Sequence, residues 1–152
     1  MYRRLRRPKD QEEYYIKLTD QEEFGIFTTY KDVFMAAGIL GFMEKKKREF
    51  TASLEGLNWN VFNLETDETV INAIAVSETN DPKLINTDEE TFDKKVQIFE
   101  EYAAGGIEIL YKRVMEDPKK ALNLYIDYIM SMESETTAQE RNLRDIADLL
   151  TF

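Results

Sequence analysis

Apolar positions recur three or four residues apart through most of the chain, and no stretch of useful length alternates at the two-residue interval of a strand. Tyr14, Tyr15 and Leu18 give a first helix, over about 9–19, its inward face. Pro8 precedes it, and Asp10, Glu12 and Glu13 suit the positive end of its dipole. The stretch 27–50 organises the rest, because it joins an apolar helix to a basic exit. Thr28 or Thr29 caps that helix, Asp32 lies in its first turn, and Tyr30, Val33, Phe34, Ala37 and Leu40 form one apolar face. Ala36, Ala37 and Gly38 are small enough to admit a close neighbour, and Gly41 is the expected stop, with Phe42 pinning the exit.

Residues 51–66 read as an irregular connection with a short helical turn, in which Trp59 anchors the core. A helix then starts at Asp67 and Glu68, carries Val70, Ile71, Ile74, Ala75 and Val76, and breaks at Asn80-Asp81-Pro82. Being apolar on most of its circumference, it is expected near the middle of the domain. The longest helix spans about 88–116. Phe92, Val96, Phe99, Ala103, Leu110 and Val114 form its seam, with Gly106 at the missing step, so Gly105-Gly106 predicts a kink or a closely packed neighbour. Pro118 opens the next helix, with Leu122, Tyr125, Ile126, Ile129 and Met130 expected inward and Met130 and Met132 as core filler. After a polar run over 131–137, a last helix over 138–150 carries Leu143, Ile146, Ala147 and Leu150 on one face. The fold class is all-α: one domain over 1–152, an irregular or orthogonal bundle of about six helices, with a basic arm over 1–8 and a C-terminal extension over 118–152.

Composition narrows the chemistry. The 152 residues include no cysteine and no histidine, which removes disulfides, thiolate chemistry, the commonest general base and the commonest metal ligand. No phosphate-cradling glycine loop and no serine elbow occurs. No catalytic, cofactor or metal site is expected, and the protein is read as not an enzyme. The nearest imitation of a nuclease site is Asp32 followed by Glu44-x-Lys46, which falls on a helix and a loop where such sites use strands; a carboxylate-metal nuclease stays a remote alternative. The pairs Glu12-Glu13, Glu89-Glu90 and Glu100-Glu101 read as solvated charge. With no secretory leader and no apolar run of membrane-spanning length, the expectation is a cytoplasmic protein with neither membrane nor small-molecule partner.

Charge is divided unevenly. Residues 1–50 hold 11 Lys and Arg against 9 Asp and Glu, while residues 51–152 hold 9 against 21, within a net charge of −10. The cations concentrate in two clusters: Arg3, Arg4, Arg6, Arg7 and Lys9, and Lys45, Lys46, Lys47 and Arg48. If the first two helices pack antiparallel, the clusters meet as one patch able to bind a DNA backbone or an acidic protein surface. The arm taken alone reads either as a frayed terminus or as a phosphate-binding segment.

A string of short motifs sharpens this. Arg3-Arg4-x-Arg6-Arg7-Pro8-Lys9-Asp10, Phe27-x-Thr29-Tyr30-Lys31-Asp32-Val33, Ala36-Ala37 with Gly41-Phe42, Val70-Ile71-Asn72, Glu78-Thr79-x-Asp81-Pro82-Lys83, and Ile98-Phe99-Glu100-Glu101-Tyr102-Ala103-x-Gly105-Gly106-x-Glu108-Ile109-Leu110 follow one another in order. Over about 3–115 the chain resembles the DNA phosphorothioation-associated protein 4 family. The resemblance implies a prokaryotic anti-phage defence locus, with the other subunits of a defence complex as partners and no catalytic residue. The run Lys45 to Arg48 is similar in place to a basic stretch following the family's Gly-Phe. The resulting expectation is an accessory subunit that contacts DNA or a DNA-bound partner through the basic patch; the alternative is a structural adaptor in an ATPase or nuclease complex without DNA contact.

Overall fold

A computed structural model of the chain describes residues 2–54 and 56–132. These form α1 (Glu12–Thr19), α2 (Tyr30–Met43), α3 (Asp67–Thr79), α4 (Glu89–Val114) and a fifth helix, α5, over 121–132. Short 3-10 turns at Lys9–Gln11, Gln21–Glu23, Trp59–Val61, Pro82–Ile85 and Pro118–Lys120 link them. Among the described residues there is no strand, only isolated bridges pairing Leu5 with Leu57 and Pro8 with Ser53. The fold is all-α, with five α-helices among the described residues; the helix expected over 138–150 lies outside them. No described helix is long and apolar enough to cross a membrane. The chain divides into two compact units, Met1–Lys112 and Arg113–Phe152.

In the first unit, α2 starts where Thr29 Oγ1 accepts the Asp32 N–H at 3.2 Å, the threonine cap expected from sequence. The helix does not stop at Gly41. It runs to Met43, then closes with Lys45 N–H donating to Phe42 O and Lys46 N–H to Gly41 O, the paired bonds of a Schellman motif. Lys45 therefore holds the left-handed position, φ 54°, that usually belongs to glycine.

Gly41 serves packing instead. A Cβ there would lie 2.0 Å from Tyr102 O, and one on Gly106 would lie 1.8 Å from Ala37 O. Backbone thus meets backbone where α2 crosses α4, and the glycine pair admits a close neighbour. The α4 seam is buried along its length, and residues 102–107 are enclosed on every side. The middle of the unit is therefore α4, and not α3 as its apolar composition suggested. α3 buries only Asp67, Ile71, Ile74 and Ala75. Its alanines and short polar residues let it be apolar in sequence yet peripheral in space.

The arm is neither frayed nor free. Leu5 is fully buried, exchanges both backbone hydrogen bonds with Leu57, and is followed by Leu54 N–H to Arg7 O and Lys9 N–H to Ala52 O. Ahead of it, Tyr2 stacks on Phe92 with ring centroids 4.0 Å apart and meets Trp59 edge-on. Trp59 is half-buried in that cluster and stacks on Phe62, a core anchor with one open side.

In the second unit, Pro118 and Asp117 begin α5, where Asp117 Oδ1 accepts the Lys119 N–H. Ala121 and Tyr128 are buried there and Tyr125 is half-buried, but Leu122, Ile126, Ile129 and Met130 are exposed, so the face expected inward is in large part the outer one. Met130 fills no core. The period is right and the phase is rotated, because Ala121, Leu124, Tyr125 and Tyr128 supply a second apolar stripe at the same spacing.

Candidate nucleic-acid or partner interface

Only the end of the arm reaches the α2 exit, at one edge of the first unit; Arg4 and Arg7 instead line a separate groove with Tyr30 at the start of α2. Arg48, beyond the α2 exit, donates to Asp10 Oδ2 at 2.6 Å, joining the exit to the end of the arm. The start of α1 thus lies beside the stretch after α2, while Tyr15 contacts Tyr30 at the opposite end of α2. Lys9, Asp10, Arg48, Glu49, Phe50, Thr51 and Ala52 line an open groove of about 660 Å³ at this junction.

Most of the nine cations are already held by carboxylates. Arg3 grips Glu100 with two hydrogen bonds of 2.8 Å and reaches Asp93 at 3.5 Å. Arg6 gives its backbone N–H to the same Glu100 and brings its Nε within 3.8 Å. Glu100 is 1% exposed, so the acid read as solvated charge is the buried anchor of the arm. Arg7, 6% exposed, pairs with Glu12 at 2.6 Å and lies over the rings of Tyr15 and Tyr30 at 4.6 and 4.9 Å. Lys46 and Arg48 share Glu108 at 3.6 and 3.9 Å, and Lys47 donates to Glu78 while covering the Tyr102 ring at 5.2 Å. Arg4 is exposed and donates to Gly56 O at 3.3 Å. Lys9 and Lys45 are exposed, and among the described residues no carboxylate pairs with either.

The electrostatics follow the pairing. The hydrogen bond from Arg48 holds the Asp10 carboxyl below its ordinary value, and Glu100 raises the Arg3 guanidinium. Hydrogen bonds from Lys47 and then Tyr102 lower Glu78, while burial, with the Glu78 contact, pushes the Tyr102 hydroxyl up to about 12. At neutral pH every one of these groups keeps its ordinary charge.

Asp32 and Glu44 stand at opposite ends of α2. At a rise of about 1.5 Å per residue they are roughly 18 Å apart, so the acid-acid-lysine imitation cannot close on one ion. Among the described residues no group of three or more carboxylates, histidines or cysteines could hold a metal.

Sequence reasoning found the cations and missed their partners. Glu78, Glu100 and Glu108 stand within the motif strings quoted above, but helical period alone places them only beside the α3 and α4 seams. Their roles come from residues 31 to 97 positions away.

A family model described as DNA sulphur modification system-associated protein 4 matches residues 4–149. The match continues well past about 115, where the resemblance read from the motifs ends. No curated protein and no solved structure matches the chain.

Proposed function

The chain belongs to the DNA sulphur modification system-associated protein 4 family, and from that membership we propose that it is a non-catalytic accessory subunit of a prokaryotic anti-phage defence system, contacting DNA or a DNA-bound partner at the junction of its two basic clusters. The observation that carries the reading is the Asp10–Arg48 contact, which gathers Lys9, Lys45, Lys46 and Arg48 at one edge of a chain whose net charge is −10. A protein so acidic is repelled by polyanions everywhere except at a local basic edge. Lys45 adds support, since it puts an exposed lysine at a left-handed position that glycine would fill with less strain.

The contact is a small one, since Arg3, Arg6 and Arg7 are tied to Glu100 and Glu12. With about two or three phosphates neutralised, the logarithm of affinity falls with the logarithm of salt at a slope of roughly −2 to −3. Fluorescence anisotropy with a duplex should therefore show binding at ~50 mM salt that weakens about 16- to 60-fold at ~200 mM. Lys45→Gly should weaken it further while raising stability by about 0.5–1 kcal/mol. No binding at ~50 mM salt would overturn direct DNA contact.

The pairing of Arg3, Arg6 and Arg7 with carboxylates favours a second reading, a structural adaptor that joins larger ATPase or nuclease subunits without touching DNA. Co-purification with the subunits encoded alongside it, from nuclease-treated extract, tests that reading; a protein that never joins them overturns it.

A further inference from the structure

The groove between the end of the arm and the α2 exit carries more than cations. Lys9 and Arg48 line it together with Asp10 and Glu49, so the formal charge of its wall is zero, and Phe50 lines it as well, half-buried. A duplex backbone offers phosphates, which gain little from cations offset by as many carboxylates. The groove holds about 660 Å³, within the range of about 300–1,000 Å³ of pockets that take small ligands. It is therefore large enough for a flat ring and is equipped with donors, acceptors and an aromatic face.

A second aromatic platform lies across Arg48 from this groove. Arg48 Nη1 approaches Glu108 Oε1 at 3.9 Å, and Tyr111, one turn along α4 from Glu108, packs on Tyr14 with ring centroids 4.7 Å apart. Tyr14 in turn is near enough to act on the Arg48 charge, and Lys17 Nζ stands 6.0 Å from the centre of the Tyr111 ring. Both tyrosines are half-buried. Rings and cations thus alternate along one edge: Phe50, then Arg48, then the tyrosine pair, then Lys17. Proteins that hold strands of unpaired bases use this interleaving, in which rings stack on bases and cations follow the phosphates. The carboxylates that a phosphate would avoid suit such a strand too, because acids accept from the amino groups of exposed bases, as they do from cytosine.

We propose that this edge takes DNA as an unpaired strand, with one base stacked on Phe50 in the groove, another on the pair Tyr14 and Tyr111, and the phosphates between them passing Arg48 and Lys9. The proposal rests on the direct-DNA reading above and names its substrate class. In a duplex the base faces are stacked on one another and closed to these rings.

Fluorescence anisotropy of the full chain with an oligothymidine about 15 nucleotides long, and with a duplex of the same length, tests this at ~50 mM salt. The single strand should bind about tenfold or more tightly than the duplex. Phe50→Leu keeps the apolar bulk and removes the ring, so it should cost the single strand about 5- to 150-fold and the duplex much less, with Tyr111→Leu acting in the same direction. Iodouracil placed in the oligonucleotide allows photo-cross-linking to the unaltered protein, and the attachment should fall on Phe50, Tyr14 or Tyr111. A duplex bound as tightly as the single strand overturns the proposal and leaves the direct-DNA reading standing, whereas binding of neither overturns both. Cross-links confined to other residues, or a single-strand affinity that Phe50→Leu leaves intact, also overturn the proposal, because they place the strand elsewhere.

Discussion

Glu100 illustrates how a single carboxylate can decide the fate of a whole segment. It is buried, and its charge is balanced by Arg3, which keeps partial access to water, together with the Arg6 N–H. Removing either partner therefore has unequal effects. Arg3→Ala leaves a buried carboxylate with only the Arg6 contacts and should cost about 3 kcal/mol, whereas Glu100→Gln removes the buried charge itself and lets Arg3 turn outward, costing about 1 kcal/mol. Urea midpoints of the two variants check the order, and an equal or reversed loss would mean that the Arg3 contact is not what anchors Glu100 in the wall. None of this was legible locally. Glu100 follows Phe99 and precedes Glu101, a context that reads as the polar flank of a helix, and the arginine that draws it inside lies 97 residues earlier.

At the scale of elements, α2 and α4 meet through glycine, and the sequence reading recognised the small residues while assigning one of them the wrong task. From sequence Gly41 reads as a terminator, because glycine after an apolar run usually is one. Here Lys45 terminates the helix and Gly41 makes room for Tyr102 O. The ambiguity is physical: lack of a Cβ serves a left-handed turn and a close backbone approach equally well. The cap at Thr29, the break at Asn80 to Pro82, the α4 seam and the helix opening at Pro118 are legible because each depends on residues within four positions. Gly106→Ala sets two effects against each other. Helix propensity favours alanine by about 1 kcal/mol, but its Cβ would press on Ala37 O, a backbone atom that cannot swing away. A net loss of about 2 kcal/mol or more is expected, exceeding that of Gly38→Ala, where the obstacle is the Phe99 ring. Thermal melts of both variants measure the difference.

For the whole molecule, acidity and internal pairing act in opposite directions as pH falls. Asp10 and Glu78 have folded-state values below their ordinary 3.8 and 4.5. The unfolded chain then binds more protons than the folded one over the interval between, so both groups contribute stability above about pH 5 that is lost as pH drops through the lowered values. Both pairs are partly open to solvent, and each is worth under about 1 kcal/mol. Above that interval, between pH 7 and the isoelectric point near 4.6, the charge of −10 falls to zero, which relieves self-repulsion. Stability should therefore stay level from about pH 7 to 5 and fall below about pH 4, and Glu78→Gln should shallow that fall. Urea midpoints across the series show it, and a fall that Glu78→Gln leaves as steep would remove Glu78 from the account. The lopsided charge was plain in the sequence; its internal neutralisation required a fold.

The clamp on the arm also sets an order of events during synthesis. Leu5 waits for Leu57, and Arg3 waits for Glu100, so the arm is translated before its partners and is among the last segments to find its place. At about 5–20 residues per second, the delay between Arg3 and Glu100 is roughly 5 to 20 s. Through those seconds Arg3 and Arg6 lack their carboxylate while Arg7 already has Glu12 close by in sequence, and only the arrival of α4 converts the arm from a tail into a fixed part of the wall.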